Sequence, residues 1–198
     1  VSVKRFSTGS ITSTTPKNSK FWDQTTTIGL NAFESISAAT CSGSDASITF
    51  SNIPQNYKHL QIRGINKTTS GTGNEWLTFQ VNGATTNIVS RHTLLADGAT
   101  VSGEAETTTQ STWFAFGSAN STASAFGVFI MDVLDYNNTD KNKTFKTFSG
   151  WDKNGTGYIA LNSNLWTSTS AITSLTIIPR TNSFAQYSSF ALYGIRGA

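Results

Sequence analysis

Apolar and polar residues alternate along residues 32–198 in short runs interrupted by Gly, Asn, Asp and Ser. A period of two over four to eight residues is what a strand with one buried face produces, and no stretch sustains the 3.6-residue period of an amphipathic helix beyond a turn or two. The pattern predicts strands near Phe33–Thr40, Ala46–Ser51, Lys58–Ile65, Glu75–Asn82, Asn87–Leu95, Thr100–Glu106, Thr112–Gly117, Phe126–Asp135, Thr144–Trp151, Gly157–Asn162, Ile172–Ile178 and Gln186–Ile195. In the third, Leu60, Ile62 and Gly64 share a face opposite Gln61 and Arg63. In the fourth, Leu77, Phe79 and Val81 oppose Trp76, Thr78 and Gln80, so one face packs and the other meets solvent or a neighbour. Phe126–Asp135 and Phe190–Ile195 are apolar at both parities. That predicts central strands covered on two sides, or strands whose outer face lies in a subunit interface. Asn82-Gly83, Asp97-Gly98 and Asn154-Gly155 mark tight turns, because these residues accept the positive φ that a right-twisted hairpin demands. Many short strands at regular turn spacing point to an all-β fold, an antiparallel β-sandwich of jelly-roll-like topology.

Residues 1–31 break the pattern. They are rich in Ser and Thr and carry Lys4, Arg5, Lys17 and Lys20 against the single acid Asp23. We read them as an extended docking arm, with residues 32–198 as the one sandwich domain. Extended at ~3.3 Å per residue, the arm reaches roughly 100 Å, while a body of the remaining length spans roughly 40 Å, so the arm can leave its own subunit. Ordering it costs about 1–2 kcal/mol per residue in backbone entropy, which only extensive contacts offset. The expected docking residues are Lys4, Arg5, Phe6, Ile11, Lys17, Lys20, Phe21 and Trp22, with Ile28 and Leu30 as further apolar anchors.

Only 13% of the 198 residues are charged. Solubility therefore rests on hydroxyls and amides, and such a surface suits dense assembly, since charged residues are the ones most depleted in interface cores. The net charge of +3 is concentrated in the arm, and no basic strand face interleaved with aromatics follows it, so direct nucleic-acid binding is not expected. No apolar run long enough to span a membrane and no secretory signal pattern is visible. The lone Cys41 rules out an intramolecular disulfide.

Catalytic chemistry finds little footing. His59 and His92 lie on different strands with no Cys, Asp or Glu at ligand spacing, so they read as satisfied or exposed strand residues and no metal site is expected. Asp132 and Asp135 point to opposite strand faces and do not form an acid/base pair. Glu104 and Glu106 share a face and read as a solvated acidic edge that deters strand addition. Asp135–Asn142 offers several oxygen ligands without calcium-loop spacing and reads as an Asx-turn hairpin. Trp76, Trp113, Trp151 and Trp166 are candidate glycan contacts, with use in the core or at an oligomer interface as the competing reading. No enzyme activity and no cofactor is expected.

The segments Phe33-Glu-Ser-Ile-Ser-Ala-Ala-Thr40, Ser47-Ile-Thr-Phe-Ser-Asn-Ile-Pro54, Tyr57-Lys-His-Leu-Gln-Ile-Arg-Gly-Ile65, Asp132-Val-Leu-Asp-Tyr136 and Gln186-Tyr-Ser-Ser-Phe-Ala-Leu-Tyr-Gly-Ile195 together resemble a family of small structural proteins of tailed bacteriophages, common in cyanophages. The resemblance implies a β-sandwich module of the kind used as trimeric capsid cement (decoration) protein or as the distal part of a tail fibre or tailspike. It brings no catalytic residues. No shaft-like repeat accompanies the body in this sequence, and the basic, anchor-studded arm suits clamping adjacent capsomers. The expectation is therefore a homotrimeric cement protein, made in the host cytoplasm and placed on the outer capsid surface of the virion, with itself and the major capsid protein as partners. The alternative is a receptor-binding or glycan-binding tip of a tail fibre or tailspike that contacts a host surface glycan.

Overall fold

All twelve predicted segments are strands, and their hydrogen-bond ladders are antiparallel throughout. The computed structural model describes residues 32–71, 74–84, 89–108, 112–118, 124–152 and 154–197, and the predicted arm lies outside them. The strands are β1 (Phe33–Thr40), β2 (Ile48–Phe50), β3 (His59–Asn66), β4 (Asn74–Val81), β5 (Val89–Ala96), β6 (Val101–Thr108), β7 (Thr112–Ser118), β8 (Gly127–Val133), β9 (Lys143–Asp152), β10 (Gly157–Trp166), β11 (Leu175–Pro179) and β12 (Ser189–Ile195). They form an eight-stranded sheet in the order β1-β12-β3-β8-β9-β10-β5-β6 and a four-stranded sheet in the order β2-β11-β4-β7. Only β5–β6, β8–β9 and β9–β10 are hairpins within one sheet. Every other connection crosses between the sheets, so the chain stitches the two layers into an antiparallel sandwich.

Parity explains the core. Leu60 and Ile62 of β3, Phe129, Met131 and Val133 of β8, Phe145 of β9, and Phe190 and Leu192 of β12 all point inward from the large sheet. They meet Ile48 and Phe50 of β2, Leu77, Phe79 and Val81 of β4, and Leu175 and Ile177 of β11. The Phe79 and Phe145 rings, 4.7 Å apart, join the two sheets. Tyr136 is buried after β8, and its hydroxyl donates to the Pro54 carbonyl. A second cluster sits toward one end, where Trp76 packs with Trp151 and Ala160, flanked by Leu95 and Tyr158.

Three expectations need correction. Of the two readings given for β8, cover on both sides is excluded, since Val128 and Ile130 face outward and are exposed, which leaves the reading of an outer face available to a subunit interface. β4 is buried at both parities: Trp76 packs on Trp151 and Ala160 of the large sheet and the Thr78 hydroxyl donates to the Ile178 carbonyl, so both are buried along with Leu77 and Phe79. The Asn82-Gly83 turn forms as expected, with both φ positive and the Ala84 amide donating to the Val81 carbonyl at 2.9 Å. It does not close a hairpin, however, because β4 and β5 belong to different sheets. Asn82 instead fastens the approach to β11: its Oδ1 accepts from the Thr173 and Ser174 amides and its Nδ2 donates to the Ala171 carbonyl.

Candidate interaction surface

The structure places three of the expected site residues in packing roles. Trp76, Trp151 and Trp166 are buried, so none presents a ring face to a sugar, and the core reading holds at these positions. The Trp113 side chain and the whole arm, from Lys4 and Arg5 through Phe6, Ile11, Lys17 and Lys20 to Phe21 and Trp22, lie outside the described residues. His59 is half-buried and its Nδ1 accepts from the Asp135 amide at 2.9 Å, while His92 is exposed on the large sheet. Asp132 accepts from Gln61 Nε2 at 2.8 Å on the outer face of β8, well separated in role from Asp135.

Asp135 sits in the turn after β8 with φ of 49° and pairs with Lys58 at 2.9 Å and with Lys141. The predicted Asx turn follows it, with the Asp140 amide donating to Asn138 Oδ1 at 2.8 Å. Hydrogen bonds from Lys141 and then Lys58 hold the Asp135 carboxyl down at about 2. The folded value lies below the ordinary value of 3.8, so the associated stability is present above about pH 4 and is lost as pH falls toward 2. Both lysines are more than half exposed, and screening trims the contribution to about 1 kcal/mol. Asp135→Asn keeps a residue tolerant of the left-handed backbone and removes the titration. Urea midpoints compared between pH 5 and pH 2 are expected to fall less in this variant than in the parent.

Several other polar or titratable side chains are buried or paired. Cys41 is buried, and burial pushes its thiol up to about 11, so it is a poor nucleophile at neutral pH. Lys143 is fully buried on the inner face of β9, where its ammonium donates to the Lys141 and Thr169 carbonyls at 2.9 and 3.0 Å and desolvation lowers its pKa. Arg91, buried on β5, bridges Glu104 at 3.1 Å and Glu106 at 2.9 Å and lies 5.6 Å from the Trp76 ring. The two glutamates do stand on an edge strand, β6, but they clamp this arginine as well as meeting solvent. A shallow depression is lined by Gln55, Asn56, Tyr57, Lys58, Asn137 and Arg196, and the Arg196 cation there already pairs with Glu34 at 2.9 Å and stacks over Tyr57. Among the described residues, no group of three or more His, Cys, Asp or Glu side chains is placed to hold a metal. Among them, too, no helix is long and apolar enough to cross a membrane.

What remains is the outer face of the eight-stranded sheet. Following the register from β3 to β6, one row across the strands reads Ile65, Val128, Gly150, Ile159, Ala96 and Val101. The adjoining row reads Arg63, Ile130, Phe148, Leu161, Leu94 and Gly103, and the one beyond it Gln61, Asp132, Lys146, Ser163, His92 and Ala105. The eight large apolar side chains of the first two rows range from 41% exposed at Ile130 to 68% at Val101. At the β12 side the strip meets Arg63, whose guanidinium lies over the Phe33 and Tyr193 rings at 5.3 and 5.7 Å. Sequence reading flagged this surface only at β8. The matching signal in β9 and β10 is Phe148, Ile159 and Leu161 at the parity that a solvent-facing strand fills with polar residues.

By its fold the protein is an antiparallel β-sandwich. Compared with protein-family models, curated proteins and solved structures, the chain gives no match.

Proposed function

We propose that the chain is a structural protein of a tailed-phage virion: a cement protein on the outer head surface that holds the major capsid protein lattice through residues 1–31 and works as a homotrimer. The observation that carries the assembly role is the pair of adjoining apolar rows on the outer sheet face, a strip of a kind that soluble monomers keep small and that marks protein contact. The low charge of the chain fits the same role, because charged side chains are costly to desolvate in an interface. The resemblance of five body segments to phage structural proteins selects a virion as the assembly. The buried Trp76, Trp151 and Trp166 weaken the glycan-binding tip as an alternative, since three of its four candidate stacking platforms are spent on packing.

Quantitative mass spectrometry of virions carrying the chain tests the head assignment. Abundance on the scale of the capsomers is expected, and abundance on the scale of tail fibres overturns it. The arm is tested by adding purified full-length protein to undecorated heads. The double variant Phe21→Ser/Trp22→Ser is expected to bind at least about tenfold more weakly, as loss of two aromatic anchors from a contact implies. Unchanged binding removes the arm from the contact.

A further inference from the structure

We propose that the apolar strip on the outer face of the eight-stranded sheet is where copies of this chain pack on one another. Its extent is the first reason. Six neighbouring strands at 4.7–4.9 Å make the strip roughly 25 Å long. The exposed parts of Ile65, Val128, Ile159, Val101, Ile130, Phe148, Leu161 and Leu94 sum to on the order of 700 Å², close to the ~800 Å² that each side of a standard stable interface contributes. A second copy offers the same area and covers the strip completely.

Shape and charge favour the same occupant. The strip is a twisted sheet face, and the surface that covers such a face most fully is another sheet about 10 Å away. Gly150 lies between Val128 and Ile159, Ala96 between Ile159 and Val101, and Gly103 beside Leu94, which leaves low places among the bulky residues for side chains of a facing copy. The bordering row carries Asp132 beside Lys146, with Arg63 at the strip's end, so both signs are present at the rim. A single-sign rim repels its own copy, whereas a mixed one pairs with it when residue i of one copy meets residue j of the other. The inference rests on the assembly role proposed above but not on the capsid as the place of assembly, nor on the count of three, since a strip that covers its own copy face to face closes a two-fold pair. It leaves the arm free for the other partner.

The test is the mass of the full-length protein by sedimentation equilibrium from about 1 to 100 µM, the range in which ordinary protein interfaces associate. The parent is expected to form a dimer, the closed set that a self-complementary face produces, and a trimer overturns the face-to-face pairing. Phe148→Glu and, separately, Leu161→Glu are expected to raise the dissociation constant at least 100-fold, with an unchanged far-ultraviolet circular dichroism spectrum because both side chains point away from the core. If either variant fails to fold, concentration-dependent protection of Phe148 from hydroxyl-radical labelling in the parent gives the same reading. A parent that stays monomeric, an oligomer that neither variant weakens by more than threefold, or a Phe148 equally labelled at all concentrations overturns the inference. An oligomer lost in Phe21→Ser/Trp22→Ser but retained in Phe148→Glu overturns it too, and makes the arm the assembling element. Failure of the parent to decorate heads leaves this surface untouched and counts only against the cement reading.

Discussion

Gly64→Val is expected to lower the thermal midpoint by about 10 °C, equivalent to ~3 kcal/mol for a domain of this size. Gly64 lies on the inner face of β3, directly across from Phe190 on β12 and Phe129 on β8. Both rings lean into the space a side chain would take: a Cβ there stands 2.3 Å from Phe129 Cε1, 2.7 Å from Phe129 Cζ and 2.9 Å from Phe190 Cδ1. The contacts are with large rings in a close-packed interior, so relief requires moving the core and not the tip of a flexible chain. The rings are themselves tied to others, Phe129 to Phe190 at 6.1 Å between centroids and Phe190 to Phe184 at 4.9 Å. Gly64→Ala is expected to fall between parent and Val. A useful contrast is Gly71→Ala in the loop after β3, whose Cβ meets nothing within 4 Å and which is expected to melt with the parent. Calorimetry that finds Gly64→Val as stable as the parent contradicts the packing described for β3, β8 and β12.

Arg91→Ala is expected to cost about 2–3 kcal/mol, at the lower end of what breaking a buried ion pair costs because Glu104 and Glu106 keep some contact with water. Arg91 spends its guanidinium on three partners at once: Nη2 donates to Glu104, Nε to Glu106 and Nη1 to the Thr93 hydroxyl at 2.9 Å. Thr93 passes the chain on by donating to Asn162 Oδ1 at 2.6 Å. Removing the arginine strands two carboxylates on the same face of one strand and uncovers the Trp76 ring. Arg91→Lys is expected to recover less than half of the loss, since an ammonium cannot reproduce the fork that reaches both glutamates and the threonine. In a Glu104→Gln/Glu106→Gln background, truncating Arg91 is expected to cost less than in the parent. A urea-unfolding cycle in which the costs simply add means that the ion pairs carry none of the stability.

These two effects sit in opposite halves of the large sheet and concern its inner face, whereas the proposed contact uses its outer face. That separation makes the surface variants informative. A charge at Phe148 changes what meets the sheet from outside without altering the Phe129, Phe190 and Phe184 packing within it or the Arg91 clamp near its edge. The acid-sensitive Asp135 lies in a turn at the end of β8, away from both.

The strands, their parity and their turns were legible in the residues themselves. All twelve segments, the inward set Leu60, Ile62 and Gly64, and the Asx turn after Asp135 follow from a period of two and from short-range chemistry that acts within a few positions of the chain. What lies across from a strand is a different matter. Alternation could not say that β4 and β5 join different sheets, that Trp76, Trp151 and Trp166 are interior, or that the second apolar face of β8 stays open while that of β4 is covered. Nor could it bring Glu104 and Glu106 to Arg91, or Phe129 and Phe190 over Gly64, because sheet order sets these neighbours and sequence spacing does not. Local backbone geometry dictates which side of a strand a residue takes. Only the packing of distant strands decides whether that side is filled by the protein's own core or left for another molecule.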